Sequence, residues 1–236
     1  MKSITGLVVA SMLSILSTSL WAQTAVVPAP QNQVQLAASA LIEVQQDLLT
    51  LNMSTTRDGP DAAAVQSQLK QALELALAEA KKAALQGQLD VRTGNFNLSP
   101  RYGRDGKVTG WQGTTELVLE GRDFARIGAT AGKIQTLTMG GVSFGLSREQ
   151  RAKVEGEAQG QAIERFKAKA ADIAKGFGFA GYTLREVSVN ANDQGFVPRP
   201  RMLAMDAKVA SAEASVPLEA GKTTVMVTVS GTVQLK

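Results

Sequence analysis

The sequence predicts an α+β domain in which helices pack on one face of a largely antiparallel sheet. Several short segments alternate apolar and polar residues, which is typical of strands that bury one face only. Other, longer segments repeat apolar residues every three to four positions, which indicates amphipathic helices. With 236 residues, of which 44% are hydrophobic, the chain has enough apolar side chains to bury a core without disulfides. Helices and strands therefore share one layered domain.

The N-terminal residues have the order of a secretory signal peptide. Lys2 gives a short basic start, residues 4–16 form an apolar run, and small and polar residues lead to Ala22. We expect residues 1–22 to be a signal peptide cleaved after Ala22, residues 23–33 to be a flexible linker, and residues 34–236 to fold. A buried N-terminal helix is the alternative interpretation of the same residues. No other run reaches the ~18 apolar residues that cross a bilayer, so we expect a periplasmic protein without a transmembrane segment.

The first part of the domain, residues 34–146, has the pattern strand, helix, strand, strand, helix, strand, a split βαβ arrangement. Two alternating runs in residues 34–56 are separated by a phase shift at Gln45-Gln46-Asp47. They predict one long strand with a bulge or a tight hairpin. The remaining elements predicted here are a helix over 60–86, strands over 89–98 and 111–120, a helix over 123–134 and a strand over 139–146.

Local signals support these elements. Pro60 suits a first helical position and Gly87 a helix end. The apolar face of this first helix contains Val65, Leu69, Leu73, Leu77, Ala80 and Ala84. Gly94-Asn95 interrupts an alternating run as a β-bulge does, and Asp105-Gly106 marks the reversal of a hairpin. Asp123 is a suitable N-cap for the second helix, whose Phe124, Ile127, Ala131 and Ile134 share a face.

The second part, residues 147–236, begins with the longest helix signal outside the alanine-rich segment. Ser147 followed by Gln150 indicates a capping box at the start of a helix over 147–177. Gly156 and Gly160 suit close approach of this helix to a neighbour. Strands are predicted over 182–189 and 223–235. The predicted core stripe of the helix contains Ile163, Phe166, Ala170, Ile173 and Phe177.

Residues 190–222 have no sustained apolar period and are predicted to form a long loop, which in a domain of this size is often functional. We distinguish two interpretations: a solvated loop, or a subunit contact or partner site, since loops carry binding residues and methionine adapts to varied surfaces. The candidate interaction residues are Arg199, Arg201, Met202, Met205 and Lys208.

Composition excludes several function classes. The formal net charge is +4, and without Lys2 it is 24 basic minus 21 acidic residues, or +3. Basic residues are spread along the chain and aromatic residues are few, so we expect no nucleic-acid binding. The chain has no cysteine and no histidine, which removes thiol nucleophiles, imidazole bases and their metal sites. We expect no catalytic residues, no cofactor and no metal, because the acidic residues are better explained as turn and cap residues.

Short motifs occur in one order along nearly the whole domain. They are Pro60-Asp61, Asp90-Val91-Arg92-Thr93 with Phe96 and Leu98, Pro100-Arg101-Tyr102, Thr109-Gly110-Trp111, residues 142–147, residues 167–170 with Ile173-Ala174, and residues 217–222. In this order and spacing the chain resembles the SIMPL-domain family of YggE-like periplasmic proteins. The resemblance implies a periplasmic or envelope location, a mixed α/β fold, ring-like homo-oligomers and, for some relatives, protection against oxidative or envelope stress. It implies no catalytic residues.

Two functions follow as expectations. The first is an exported, non-enzymatic protein that self-assembles and protects or organises the envelope, with an envelope protein as a further candidate partner. The second is a periplasmic binding module that presents the 190–222 loop to a protein or a cell-wall ligand. A hydrolase with a carboxylate pair is the least favoured class.

Overall fold

A computed structural model describes residues 31–192 and 218–236 of the chain. The described residues from Asn32 onward belong to one compact unit. Within these described residues, three helices and seven strands follow in the order β1 (Gln33–Gln45), β2 (Leu48–Gly59), α1 (Ala62–Lys82), β3 (Asp90–Tyr102), β4 (Val108–Gly121), α2 (Phe124–Lys133), β5 (Thr138–Gly145), α3 (Arg148–Gly176), β6 (Tyr182–Asn192) and β7 (Lys222–Leu235).

The strands form two antiparallel sheets. The first sheet has the order β1-β7-β6 and the second has the order β3-β4-β2-β5. Helix α3 packs on the first sheet, while α1 and α2 pack on the second. The predicted α+β class with antiparallel strands and helices on one face is therefore confirmed. The expectation of a single sheet is wrong, because the alternating pattern shows that a strand has one buried face but does not show which strands are neighbours.

The chain passes from one sheet to the other between β1 and β2. Strand β1 pairs with β7 over its whole length, whereas β2 lies between β4 and β5. The two predicted alternatives, one bulged strand or a hairpin, are both wrong. Gln46 and Asp47 separate the two strands, so the phase shift in the sequence marks a change of sheet.

Strands β3 and β4 form the predicted antiparallel hairpin. Their register shifts between Thr93 and Phe96, which confirms a bulge at Gly94-Asn95. At the other end, Gly106 has a φ of 75°, a left-handed conformation that glycine adopts without steric cost. Its N–H donates to the carbonyl of Gly103. The predicted reversal at Asp105-Gly106 is therefore confirmed.

Helix α1 begins two residues later than predicted and ends four residues earlier. Its N-cap is Asp61, whose carboxylate accepts from the N–H of Ala64. Pro60 therefore precedes the cap instead of occupying the first helical position. The helix ends at Lys82 with Ala83 as its C-cap, and Ala84 is exposed. The buried residues are Val65, Leu69, Ala72, Ala76 and Ala80, so small side chains let this helix approach the sheet.

The core has a main cluster under each sheet. The first sheet and α3 enclose a cluster that includes Phe166, Val227 and Val233. The second sheet and its two helices enclose another, built around leucines of β2 and β4 and residues of α1 and α2. Asp123 caps α2 as predicted, accepting from the N–H of Arg126. Phe124 then brings α2 onto the sheet, with its ring centroid 5.6 Å from that of Phe144 in β5.

Helix α3 begins at the predicted cap. The hydroxyl of Ser147 accepts from the N–H of Gln150, and the helix extends to Gly176 with Phe177 as its C-cap. Phe166 is buried, whereas Phe177, predicted to belong to the same stripe, is 71% exposed. No helix in the described part of the chain is both long and apolar enough to cross a membrane.

Candidate interaction surface

The structure describes only the two ends of the predicted interaction loop. Its candidate residues, Arg199, Arg201, Met202, Met205 and Lys208, lie outside the described residues. Residues 190–192, which were predicted to begin the loop, continue β6 instead, and β7 starts at Lys222. Because Asn192 is the register partner of Met226, the connecting segment leaves and rejoins the first sheet at the same end of the β6–β7 hairpin.

Strand β6 forms one edge of the first sheet. Among the described strands it pairs with β7 alone, and the pairing is regular from Glu186 to Asn192 after an irregularity between Leu184 and Glu186. Along the other side, alternate residues direct their N–H and C=O groups away from β7. An edge of this kind is a template for a further strand.

Three apolar side chains of β6 are exposed on the helix side of this sheet. Leu184 is 55% exposed, Val187 44% and Val189 43%. Leu184 and Val189 are the register partners of two buried valines of β7 that pack under α3, which places them on the helix side. Helix α3 packs mainly on β1 and β7 and touches β6 much less. We call Leu184, Val187 and Val189 the β6 strip.

Lys167 lies on the side of α3 toward the start of β6. The hydroxyl of Tyr182, at the start of β6, donates to the carbonyl of Lys167 at 3.4 Å. The ammonium of Lys167 is bonded to the carboxylate of Glu164 at 2.9 Å, and this bond raises the pKa of Lys167. Ile163, one turn before Lys167, is partly buried against the core. Near the start of β6, α3 therefore presents an ion pair and a partly buried aliphatic side chain.

The opposite edge of the same sheet is covered. The guanidinium of Arg165 donates to the carbonyl of Ser39 at 2.7 Å, and the ammonium of Lys169 donates to the carbonyl of Ala37 at 3.0 Å. Both carbonyls belong to β1. Charged side chains at an edge discourage pairing with another chain. No described side chain bonds the backbone of β6 in this way, so the two edges of the sheet differ in how they meet a partner.

A cavity opens beside α1 at the second sheet. This shallow cavity of about 250 Å³ is lined by Arg57, Gln68, Gln71, Ala72, Leu75 and Thr136. The guanidinium of Arg57 is already bonded to the hydroxyl of Thr55 and the carbonyl of Thr56. This lining contains no carboxylate. Within residues 31–192 and 218–236, no three acidic, cysteine or histidine side chains come close enough to hold a metal ion.

The sequence indicated β6 as a strand but did not identify it as an edge. The available signal is the break in alternation at Arg185-Glu186, between Leu184 and Val187, which coincides with the register irregularity. It marks an irregular strand, as edge strands often are. Only the topology shows that the side chains beyond the break are exposed.

The comparisons with known proteins bear on the whole domain. A family described as SIMPL, protein of unknown function (DUF541), matches residues 34–233. The chain belongs to the SIMPL family. The SIMPL match begins within β1 and ends within β7, so it includes both sheets and all three described helices. Among curated proteins, none matches the chain. The predicted resemblance is confirmed, and the family description assigns no activity.

Proposed function

We propose that this SIMPL-family chain is an exported, non-enzymatic protein that self-assembles and contributes to protection of the cell envelope, including under oxidative stress. The observation that carries the proposal is the β6 edge with its exposed apolar strip. One strand carries three exposed aliphatic side chains and a row of backbone groups that have no strand partner within residues 31–192 and 218–236. Covering them with another protein surface removes apolar area from water and gives the edge hydrogen-bond partners.

The chemistry of the chain supports a role without catalysis. It has neither cysteine nor histidine, so thiol nucleophiles and imidazole bases are both missing. The lining of the described cavity contains no acid. A protein without thiols also has no cysteine to be oxidised to sulfenic or sulfonic acid, which suits exposure to oxidants. Export is supported by the signal-like order of residues 1–22.

The experiment that tests self-assembly is light scattering coupled to size-exclusion chromatography, on protein that begins at Gln23. We expect a mass well above the monomer at micromolar concentration, falling on dilution. A monomer at every micromolar concentration would contradict the proposal. Fractionation of cells that express the full chain tests export, with the periplasmic fraction expected to contain the protein shortened at its N-terminus.

The second candidate is a binding module that uses the segment between β6 and β7. It is favoured by the position of the segment, which joins the sheet at the end of β6. Deletion of residues 193–215 separates the two functions. Loss of a co-purified envelope protein with an unchanged oligomer would support the binding module. Loss of the oligomer would make the segment part of the assembly itself.

A further inference from the structure

We propose that β6 pairs antiparallel with β6 of a second copy, about a two-fold axis at Ser188, so that two three-stranded sheets become one six-stranded sheet. The inference rests on the proposed self-assembly and specifies its partner and geometry. A closed dimer of this kind uses the same surface on both copies, and an antiparallel strand pair has the required two-fold symmetry.

A second copy fits the edge better than an unrelated strand because β6 is self-complementary. With the axis at Ser188, Val187 of one copy lies opposite Val189 of the other, and this pair occurs twice. Both valines lie on the helix side, so the apolar strips of the two copies become continuous. On the other face, Glu186 lies opposite Asn190 of the partner copy, which avoids placing two carboxylates opposite each other. Opposed β-branched side chains stabilise strand pairs.

Neighbouring registers fit less well. With the axis at Val187, that residue would oppose its own copy and Val189 would oppose Arg185. With the axis at Val189, Val187 would oppose Ala191 and only one valine pair would remain. The regular pairing of Glu186–Asn192 with β7 keeps Ser188 and its neighbours in extended geometry. The valine pattern therefore favours Ser188 as the centre.

The helices do not obstruct this pairing. Helix α3 lies over β1 and β7, so four strand spacings separate the axes of the two α3 helices in the six-stranded sheet. At ~4.8 Å per spacing this is about 19 Å. Two packed helices need about 10 Å between axes, so the two α3 helices do not clash. A groove remains between the helices, and its floor is formed by the β6 strips of both copies.

Disulfide trapping tests the geometry directly because the chain has no cysteine. Ser188→Cys would place one thiol opposite its own copy at the axis, where Cα atoms are about 4.5–5.5 Å apart, within disulfide reach. We expect Ser188→Cys to give a covalent dimer under mild oxidation. The matched control is Ala37→Cys, an exposed position on the covered β1 edge, which should stay monomeric on a non-reducing gel.

Introducing charged side chains into the β6 strip gives a second, independent test, in which the dissociation constant of the dimer is measured. Val187→Lys should raise the dissociation constant at least tenfold, because ammonium groups would be brought together near the axis. The control is Val108→Lys, at a valine of β4 that is 50% exposed. It should leave the dissociation constant unchanged. Adding Val189→Glu to Val187→Lys should restore association, since each new carboxylate faces the partner's new ammonium across the axis.

The outcomes separate this inference from the proposed function. An oligomer that forms no Ser188→Cys cross-link and tolerates Val187→Lys would overturn β6 pairing and leave self-assembly intact. If the variant with both Val187→Lys and Val189→Glu remains dissociated, the register centred on Ser188 is wrong. A wild-type chain that is monomeric by light scattering would overturn both the pairing and the proposed self-assembly.

Discussion

The carboxylate of Asp47 binds both polar groups of Ser147. Its Oδ1 accepts from the Ser147 N–H at 2.7 Å and its Oδ2 accepts from the Ser147 hydroxyl at 2.6 Å. Asp47 lies between β1 and β2, where the chain changes sheet, and Ser147 is the N-cap of α3. The predicted capping box assigned the Ser147 N–H to the side chain of Gln150. Asp47, 100 residues earlier in the chain, takes that N–H instead.

Asp47→Ala is expected to destabilise the domain by about 2 kcal/mol, because hydrogen bonds to a charged acceptor contribute more than neutral ones and two donors of Ser147 lose their partner. Urea unfolding at one fixed protein concentration measures the change. The control is Asp58→Ala, which removes an exposed ion pair with Arg101 and should cost well under ~1 kcal/mol. Equal costs for the two variants would show that the bonds to Ser147 contribute little.

Most elements could be predicted because their signals are local. The cap at Asp123, the bulge at Gly94-Asn95 and the turn at Gly106 depend on residues within a few positions of one another. Backbone geometry at these positions is decided by side chains that reach their own neighbours. Such signals survive in any fold, so the sequence alone was sufficient for them.

What could not be predicted depends on contacts between distant residues. Phe166 and Phe177 share the apolar spacing of α3, yet Phe166 is 2% exposed and Phe177 is 71% exposed. Phe177 is the C-cap and follows the last helical residue, Gly176. The division of strands between two sheets and the edge position of β6 follow from pairings such as β1 with β7, nearly the whole domain apart. The alternation of apolar and polar residues identifies the buried face of a strand, but it does not identify the neighbouring strands.

Substitutions in α3 can remove the charged side chains that bond the β1 edge of the first sheet. Replacing Arg165 and Lys169 by alanine removes the two donors that bond β1 carbonyls, and we expect slow edge-to-edge association of this strand. Light scattering over hours should rise in the double variant and stay flat in Lys167→Ala, whose ammonium bonds Glu164 and not β1. A flat trace in the double variant would mean that the edge is protected in another way.

Gly156 and Gly160 lie in the interior of α3 with open space around them. A Cβ at either position would meet no described atom within 4 Å, so the predicted close approach to a neighbour is wrong within this part of the chain. Gly156→Ala and Gly160→Ala should each stabilise the domain by about 0.5–1 kcal/mol, because alanine loses less backbone entropy in a helix.

Gly113→Ala is the contrasting variant, since its Cβ would lie 2.8 Å from the carbonyl oxygen of Asn97 and 2.6 Å from a methyl of Leu69. We expect it to destabilise the domain in the same urea assay. If Gly156→Ala instead weakens the oligomer, the helix surface contacts another copy.

The cap of α2 gives a pH dependence of known sign. The backbone N–H of Arg126, and then its guanidinium, lower the pKa of Asp123, with bonds of 2.9 and 3.0 Å. Because the folded-state pKa is below the unfolded value of about 3.9, the cap stabilises the domain fully above that value. This stabilisation is lost as the pH falls through the lower, folded pKa.

Asp123→Ala should therefore cost about 1 kcal/mol at neutral pH and clearly less at a pH below the lowered pKa of folded Asp123, where wild type also carries a protonated cap. Asp123→Asn is the control, because its amide oxygen accepts from the Arg126 N–H at every pH. The difference in unfolding free energy between Asp123→Ala and Asp123→Asn should be the same at neutral and at acidic pH. The difference between Asp123→Ala and wild type should be smaller at acidic pH. Urea unfolding at both pH values measures the three stabilities. A cost relative to wild type that does not change with pH would show that the charge on Asp123 adds nothing to the cap.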